Sequence, residues 1–143
     1  MKNMITINAT DVRNDWSAVV DSVVRGKPRF IKRTRDYMFM SNISILESML
    51  EPYTFTAKEF GEDDGSVTLS LNEMDLVDNG KDKQEALLNL AKDILEYAEI
   101  FFEDFDGWAR GERKAHIPYL LKALIINDAE KIRGLISCRL GKN

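Results

Sequence analysis

His116 and Cys138 are the only histidine and the only cysteine in a chain of 143 residues, so the chemistry open to them is narrow. A structural zinc site needs several His/Cys ligands at short spacing, which these two cannot supply. A Cys–His nucleophile pair would need an oxyanion-binding element, and the chain carries no glycine elbow, P-loop or GxGxxG. The plainer readings are a polar helix-entry residue beside Pro118 for His116 and a small half-buried side chain for Cys138. A lone cysteine makes no intramolecular disulfide and fits a reducing compartment. The expectation is a protein without metal or cofactor, and not an enzyme.

Charged side chains are the better candidates. Residues 1–50 hold eight Lys/Arg against five acids, and residues 51–143 hold twelve against nineteen. The whole chain carries −4, yet its first third is basic. That asymmetry suits a nucleic-acid contact confined to one end, although a mixed soluble surface accounts for it equally well. The basic residues concentrate around Arg29 to Arg35. On the acidic side, Asp93, Glu96, Glu99, Glu103, Asp104 and Asp106 crowd one stretch. Carboxylates three or four apart share a helix face and can bind a divalent cation, but a solvated face opposite an apolar stripe is the simpler reading. Phe101, Phe102, Phe105 and Trp108 make an aromatic-rich patch beside them, either core or an anchor for a partner.

The elements that position these groups follow from periodicity. Residues 4–7 alternate weakly and fit a short edge strand. Asn8 or Thr10 can cap a following helix in which Ala9, Val12, Trp16, Val19, Val20 and Val23 form the apolar stripe. Gly26 and Pro28 stop it. Arg29–Arg33 and Tyr37–Ser41 read as a hairpin around Thr34-Arg35-Asp36. Ile43, Leu46, Met49 and Leu50 form a second helical stretch that Pro52 ends. Beyond Pro52 the pattern changes to a strand from Tyr53, a turn at 61–65, a partner strand through Val67, Leu69 and Leu71, and a short third strand between 74 and 80. Lys81 to about Asp106 is the clearest helix. Pro118 starts another, and Asn127 or Asp128 caps a last helix running to about Cys138. The prediction is α+β, with a strand–helix–hairpin–helix module over 1–51 and a two- or three-stranded antiparallel sheet with C-terminal helices over 52–143. No apolar run approaches the roughly 20 residues that span a bilayer, and no apolar h-region opens the chain, so a cytoplasmic protein is expected.

Several ordered positions in the first module resemble the Phd/YefM antitoxins, small DNA-binding repressors of bacterial toxin–antitoxin operons. They are Ile5-Thr6, Asp11-Val12-Arg13-Asn14, Trp16-Ser17, Gly26-Lys27-Pro28 and Ile31-Lys32-Arg33. The chain departs from the family pattern where Asn14 directly follows Arg13, where Asp11 replaces a Glu, and where Thr34-Arg35-Asp36 replaces a Gly/Asn-rich tip. The resemblance implies a homodimer that binds operator DNA through Arg13 and Arg33, with Thr10, Asn14, Lys32 and Arg35 as neighbours. Guanidinium groups suit this, because they pair bidentately with phosphates and guanine edges. An alternative for Arg13 is an ion pair with Asp11 or Asp15. Val12, Trp16, Val19, Val20, Val23, Phe30, Met38 and Met40 would form the core and dimer contacts. Residues 53–105, with Asp64-Gly65 before the second strand, resemble the HicB-type antitoxin core. A cognate toxin would then meet the C-terminal region, with Phe101, Phe105 and Trp108 as anchors and the acidic stretch facing a basic partner. The function so implied is antitoxin and transcriptional autorepressor of a type II system. The alternative is a dimeric interaction adaptor that does not bind DNA.

Overall fold

Ile7, Ile31 and Met38 are far apart in sequence but stand side by side across a three-stranded sheet. A computed structural model describes residues 3–141 of the chain, which divides into two compact units, Met1–Met49 and Leu50–Asn143.

In the first unit, β1 (Thr6–Asn8) leads into α1 (Ala9–Asn14) and α2 (Trp16–Val24), followed by β2 (Arg29–Arg33) and β3 (Asp36–Met40). The sheet order is β1-β2-β3, with β1 parallel and β3 antiparallel to β2. A parallel pair needs a crossover connection, which the two helices supply. The periodicity predicts one continuous helix; the structure breaks it at Asp15, whose φ of −132° and ψ of 41° are not helical. Asn8 occupies the first helix's cap position but makes no side-chain capping bond. Gly26 then turns the chain at φ 120°, a conformation only glycine adopts without strain. α3 (Ile43–Leu50) follows the hairpin, its first turn closed by the Asn42 side chain, which accepts from the Ile45 amide at 3.0 Å.

The core of this unit is small. Val12, Val19, Val23 and Ile31 are its buried residues, with Ile7, Ala9 and Met40 packed against them. Trp16, Val24, Met38, Phe39 and Ile43 are exposed by 46–68%. The Phe30 and Phe39 rings lie 5.7 Å apart on the sheet face opposite Ile31.

The second unit opens with a meander: β4 (Phe55–Gly61), β5 (Val67–Leu71) and β6 (Val77–Gly80). The long helix α4 (Lys83–Glu103) follows, then the short α5 (Phe105–Trp108), a 3₁₀ segment at Gly111–His116, α6 (Ile117–Ile126), α7 (Ala129–Leu135) and β7 (Ile136–Leu140). The sheet order is β6-β5-β4-β7, antiparallel except for the parallel pair β4/β7. One sheet face contributes Phe55, Ala57, Leu69, Leu71 and Ile136 to the core. From α4, Ala86, Leu90, Ala91, Ile94, Ala98 and Phe101 meet them as a stripe with helical spacing. Leu120, Ala123 and Ile132 from α6 and α7 complete it.

The end of the chain corrects an expectation. The last helix does not reach Cys138; it stops at Leu135, and Ile136–Leu140 is a strand. Pairing of Phe55 with Ile136 and of Ala57 with Cys138 brings one more parallel strand into the sheet. The sheet therefore has four strands rather than the two or three expected, and it is mixed rather than antiparallel. Asp128 is the residue that caps α7, accepting from the Glu130 and Lys131 amides, whereas Asn127 ends α6 in the left-handed conformation.

Candidate nucleic-acid interface

Asn8, at the end of β1, pairs with Lys32 on β2. That register sets the first turn of α1 beside the basic strand, because Ala9 follows Asn8 directly. The result is a depression of about 400 Å³ lined by Asn8, Ala9, Thr10, Asp11, Arg13, Lys32, Arg33 and Thr34. Four of the predicted DNA-contacting residues, Thr10, Arg13, Lys32 and Arg33, are thus gathered in one place from two elements. Arg35 lies exposed at the hairpin tip next to Thr34. Asn14 lines a neighbouring depression instead, of about 380 Å³, with Ile7, Asp11, Asp15, Ala18, Val19 and Arg29.

Side-chain contacts within the site leave its cations available. Arg13 donates to the Thr10 hydroxyl at 3.4 Å. The alternative pairing of Arg13 with Asp11 or Asp15 does not form: the ion pairs among the described residues are Lys83–Glu59 and Arg133–Glu130. The Lys32 ammonium sits 5.9 Å from the centre of the Tyr37 ring, a cation–π contact that steadies the lysine while its charge remains. Asp11 is the one acid on the rim of this depression. Asn8 and Thr34, which the sequence presents only as a helix cap and a hairpin tip, also line the site; the strand register that places Asn8 beside Lys32 is invisible in local sequence.

The residues read as core or dimer contacts separate into three groups. Val12, Val19 and Val23 are buried, Val20, Phe30 and Met40 are half-buried, and Trp16 and Met38 are exposed by 55% and 54%. Arg29 donates to the Ser22 hydroxyl at 3.2 Å, while its Nε is buried without a partner among the described residues.

In the second unit, Phe101 is fully buried and belongs to the core. Phe105 is 43% exposed and stacks on Phe102, their planes 6° apart. Trp108 is half-buried between Tyr97 and the Arg113 guanidinium, which lies 5.2 Å from its ring centre. Among the described residues, no three His, Cys, Asp or Glu side chains are grouped so as to hold a metal ion. No helix of the described residues is long and apolar enough to cross a membrane.

Fold and surface define an α+β chain with a basic cleft on its smaller unit. Residues 1–138 match the PHD_like family model, described as antitoxin of toxin–antitoxin, RelE/RelB, TA system, and the chain belongs to that family. Its backbone is similar to a crystal structure from Syntrophomonas wolfei subsp. wolfei, a protein provisionally described as an antitoxin part of a toxin/antitoxin system. The two are 35% identical with a TM-score of 0.89, over 96% of this chain and 100% of the other. No curated protein matches the chain. Membership in an antitoxin family implies a regulatory, non-enzymatic role.

Proposed function

We propose that this antitoxin is a dimeric DNA-binding autorepressor whose first unit is a Phd/YefM-like module and whose second unit, residues 52–143, engages a cognate toxin. The observation that carries the reading is the gathering of Arg13, Lys32 and Arg33 in one cleft with no ion pair holding any of them. Phosphate contacts from such cations set most of the affinity for DNA. The small size of the first core supports pairing of two copies. A single core in fewer than about 70 residues rarely supplies more than about 3–5 kcal/mol, so small modules commonly oligomerise. Here Val12, Val19, Val23 and Ile31 are the buried set, while Trp16, Met38 and Phe39 remain outside. A twofold dimer would present two such clefts to a pseudo-palindromic operator. Phe105 and Trp108, beside the acidic end of α4, are the surface proposed for a basic toxin.

The test is binding of the protein to its own upstream DNA, titrated over salt, beside an Arg13→Ala/Arg33→Ala variant. The expected result is tight, salt-steep binding, weakened in the variant with its salt slope reduced by about 2. The acidic balance of residues 51–143 favours a second reading, a dimeric adaptor that meets only proteins. Absence of DNA binding by a well-folded dimer would establish that reading in place of the first.

A further inference from the structure

Two residues other than glycine adopt left-handed backbone among the described residues: Asn127 at φ 47° and Thr34 at φ 58°. Asn127 has an evident structural cause. It ends α6, and its amide bonds back to the Ala123 carbonyl at 2.8 Å, a helix stop for which asparagine is well suited. Thr34 stands first in the two-residue connection between Arg33 and Asp36, where the twist of the paired strands calls for a positive φ. A β-branched side chain is among the least tolerant of positive φ, and glycine or asparagine would serve a bare hairpin turn better. The turn sets the backbone but not the residue, and a β-branched residue kept under strain that glycine would avoid is characteristic of binding sites.

Thr34 also lines the cleft that holds Arg13, Lys32 and Arg33. It is exposed, and its hydroxyl makes no hydrogen bond among the described residues. Thr10, the other threonine of the cleft, already accepts a bond from Arg13. The hairpin around Thr34 is closed by the Arg33–Asp36 pair, leaving Thr34 and Arg35 as a two-residue connection with little freedom to turn away. We propose that Thr34 is a further phosphate-binding residue, its hydroxyl donating to a nucleic-acid backbone oxygen held by Arg13 and Arg33. The proposal rests on the DNA-binding reading above. A hydroxyl fits the task because backbone phosphates take many of their hydrogen bonds from Ser and Thr as well as from cations.

The experiment compares the wild-type chain with Thr34→Val and Thr34→Ser by fluorescence anisotropy on duplex DNA from the gene's own upstream region, across a salt series. Valine keeps the branched shape and removes the donor; serine keeps the donor. The expected result is a loss of affinity of about three- to tenfold in the valine variant, typical of one hydrogen bond. Its salt slope should equal that of wild type, because no charge is lost. The serine variant should bind like wild type. Equal affinity of the valine variant, with wild type binding normally, would overturn the role of Thr34 and leave the DNA-binding reading standing. Loss of affinity in both variants would assign the effect to turn shape and overturn the hydroxyl. No binding by wild type would overturn both readings.

Discussion

Tyr97 Oη lies 2.7 Å from His116 Nδ1, joining the middle of α4 to the 3₁₀ segment that precedes α6. Burial lowers the His116 pKa below 6.5 and outweighs the opposing charge of Asp75; Arg113 lowers it further. Tyr97 is pushed the other way, chiefly by burial, so its phenol keeps its proton. The pair is therefore a neutral phenol hydrogen-bonded to a neutral imidazole through Nδ1. His116 is half-buried in an aromatic group with Tyr97, which also meets Phe101 and Trp108 edge-on.

A histidine with a lowered folded pKa contributes stability that is present above the unfolded value and lost as pH falls through the folded one. The chain should lose stability on acidification below 6.5, and Tyr97→Phe should lower it by about 1 kcal/mol near neutral pH. NMR titration of the His116 ring protons checks the direction. A midpoint at or above 6.5 would contradict the burial argument.

Asp78 on β6 meets Asp93 on α4 carboxyl to carboxyl, and Asp78 Oδ2 is buried without a partner when both are ionised. Burial first, then the hydrogen bond and charge of Asp93, push Asp78 up to about 7. A proton on Asp78 converts the orphaned oxygen into a donor. Because the folded value is raised above 3.8, the contribution is fully present below 3.8 and lost as pH rises through about 7. Asp78→Asn, neutral at every pH, should therefore gain on wild type as pH rises. Thermal melts at about pH 5 and about pH 8 should show a larger advantage for the variant at the higher value. An equal difference at both would remove Asp78 as the cause.

Gly80 closes β6 against the first turn of α4. A Cβ there would lie 2.8 Å from the Glu85 carbonyl carbon and 2.9 Å from Ala86 Cα, both backbone atoms. That turn is fixed, since Asp82 accepts from the Glu85 amide at 2.9 Å and Glu85 accepts from the Lys81 amide at 2.5 Å. Gly80→Ala should cost about 1–3 kcal/mol, the usual range for overpacking. Denaturant unfolding measures it, and a cost near zero would mean that the turn can move.

Much of this arrangement was legible from local pattern. Leu87, Leu90, Ile94 and Phe101 recur at helical spacing, and α4 forms over nearly the whole expected span. The hairpin Arg29–Met40 follows from two β-prone runs around a polar tip. The break at Asp15 was not legible, because no glycine or proline marks it. Nor was β7: Ile136–Leu140 follows a helical stretch, and what makes it a strand is a partner some eighty residues earlier in the chain. Phe101 shows the same limit at a candidate site, since its type and spacing fit an exposed anchor as well as the core it joins.

By itself the sequence determined which residues could meet an anion and that they sit on the first fifty positions. Charge balance and β- or helix-forming pattern are local properties, readable without coordinates. That Arg13 and Arg33 share one cleft was decided by tertiary structure alone. It depends on the parallel register of Asn8 with Lys32, a pairing chosen by burial of Ile31 beneath Val12, Val19 and Val23 and encoded at no single position. The left-handed Thr34 at the rim is of the same kind: residue type argues against that backbone, and the closed hairpin imposes it.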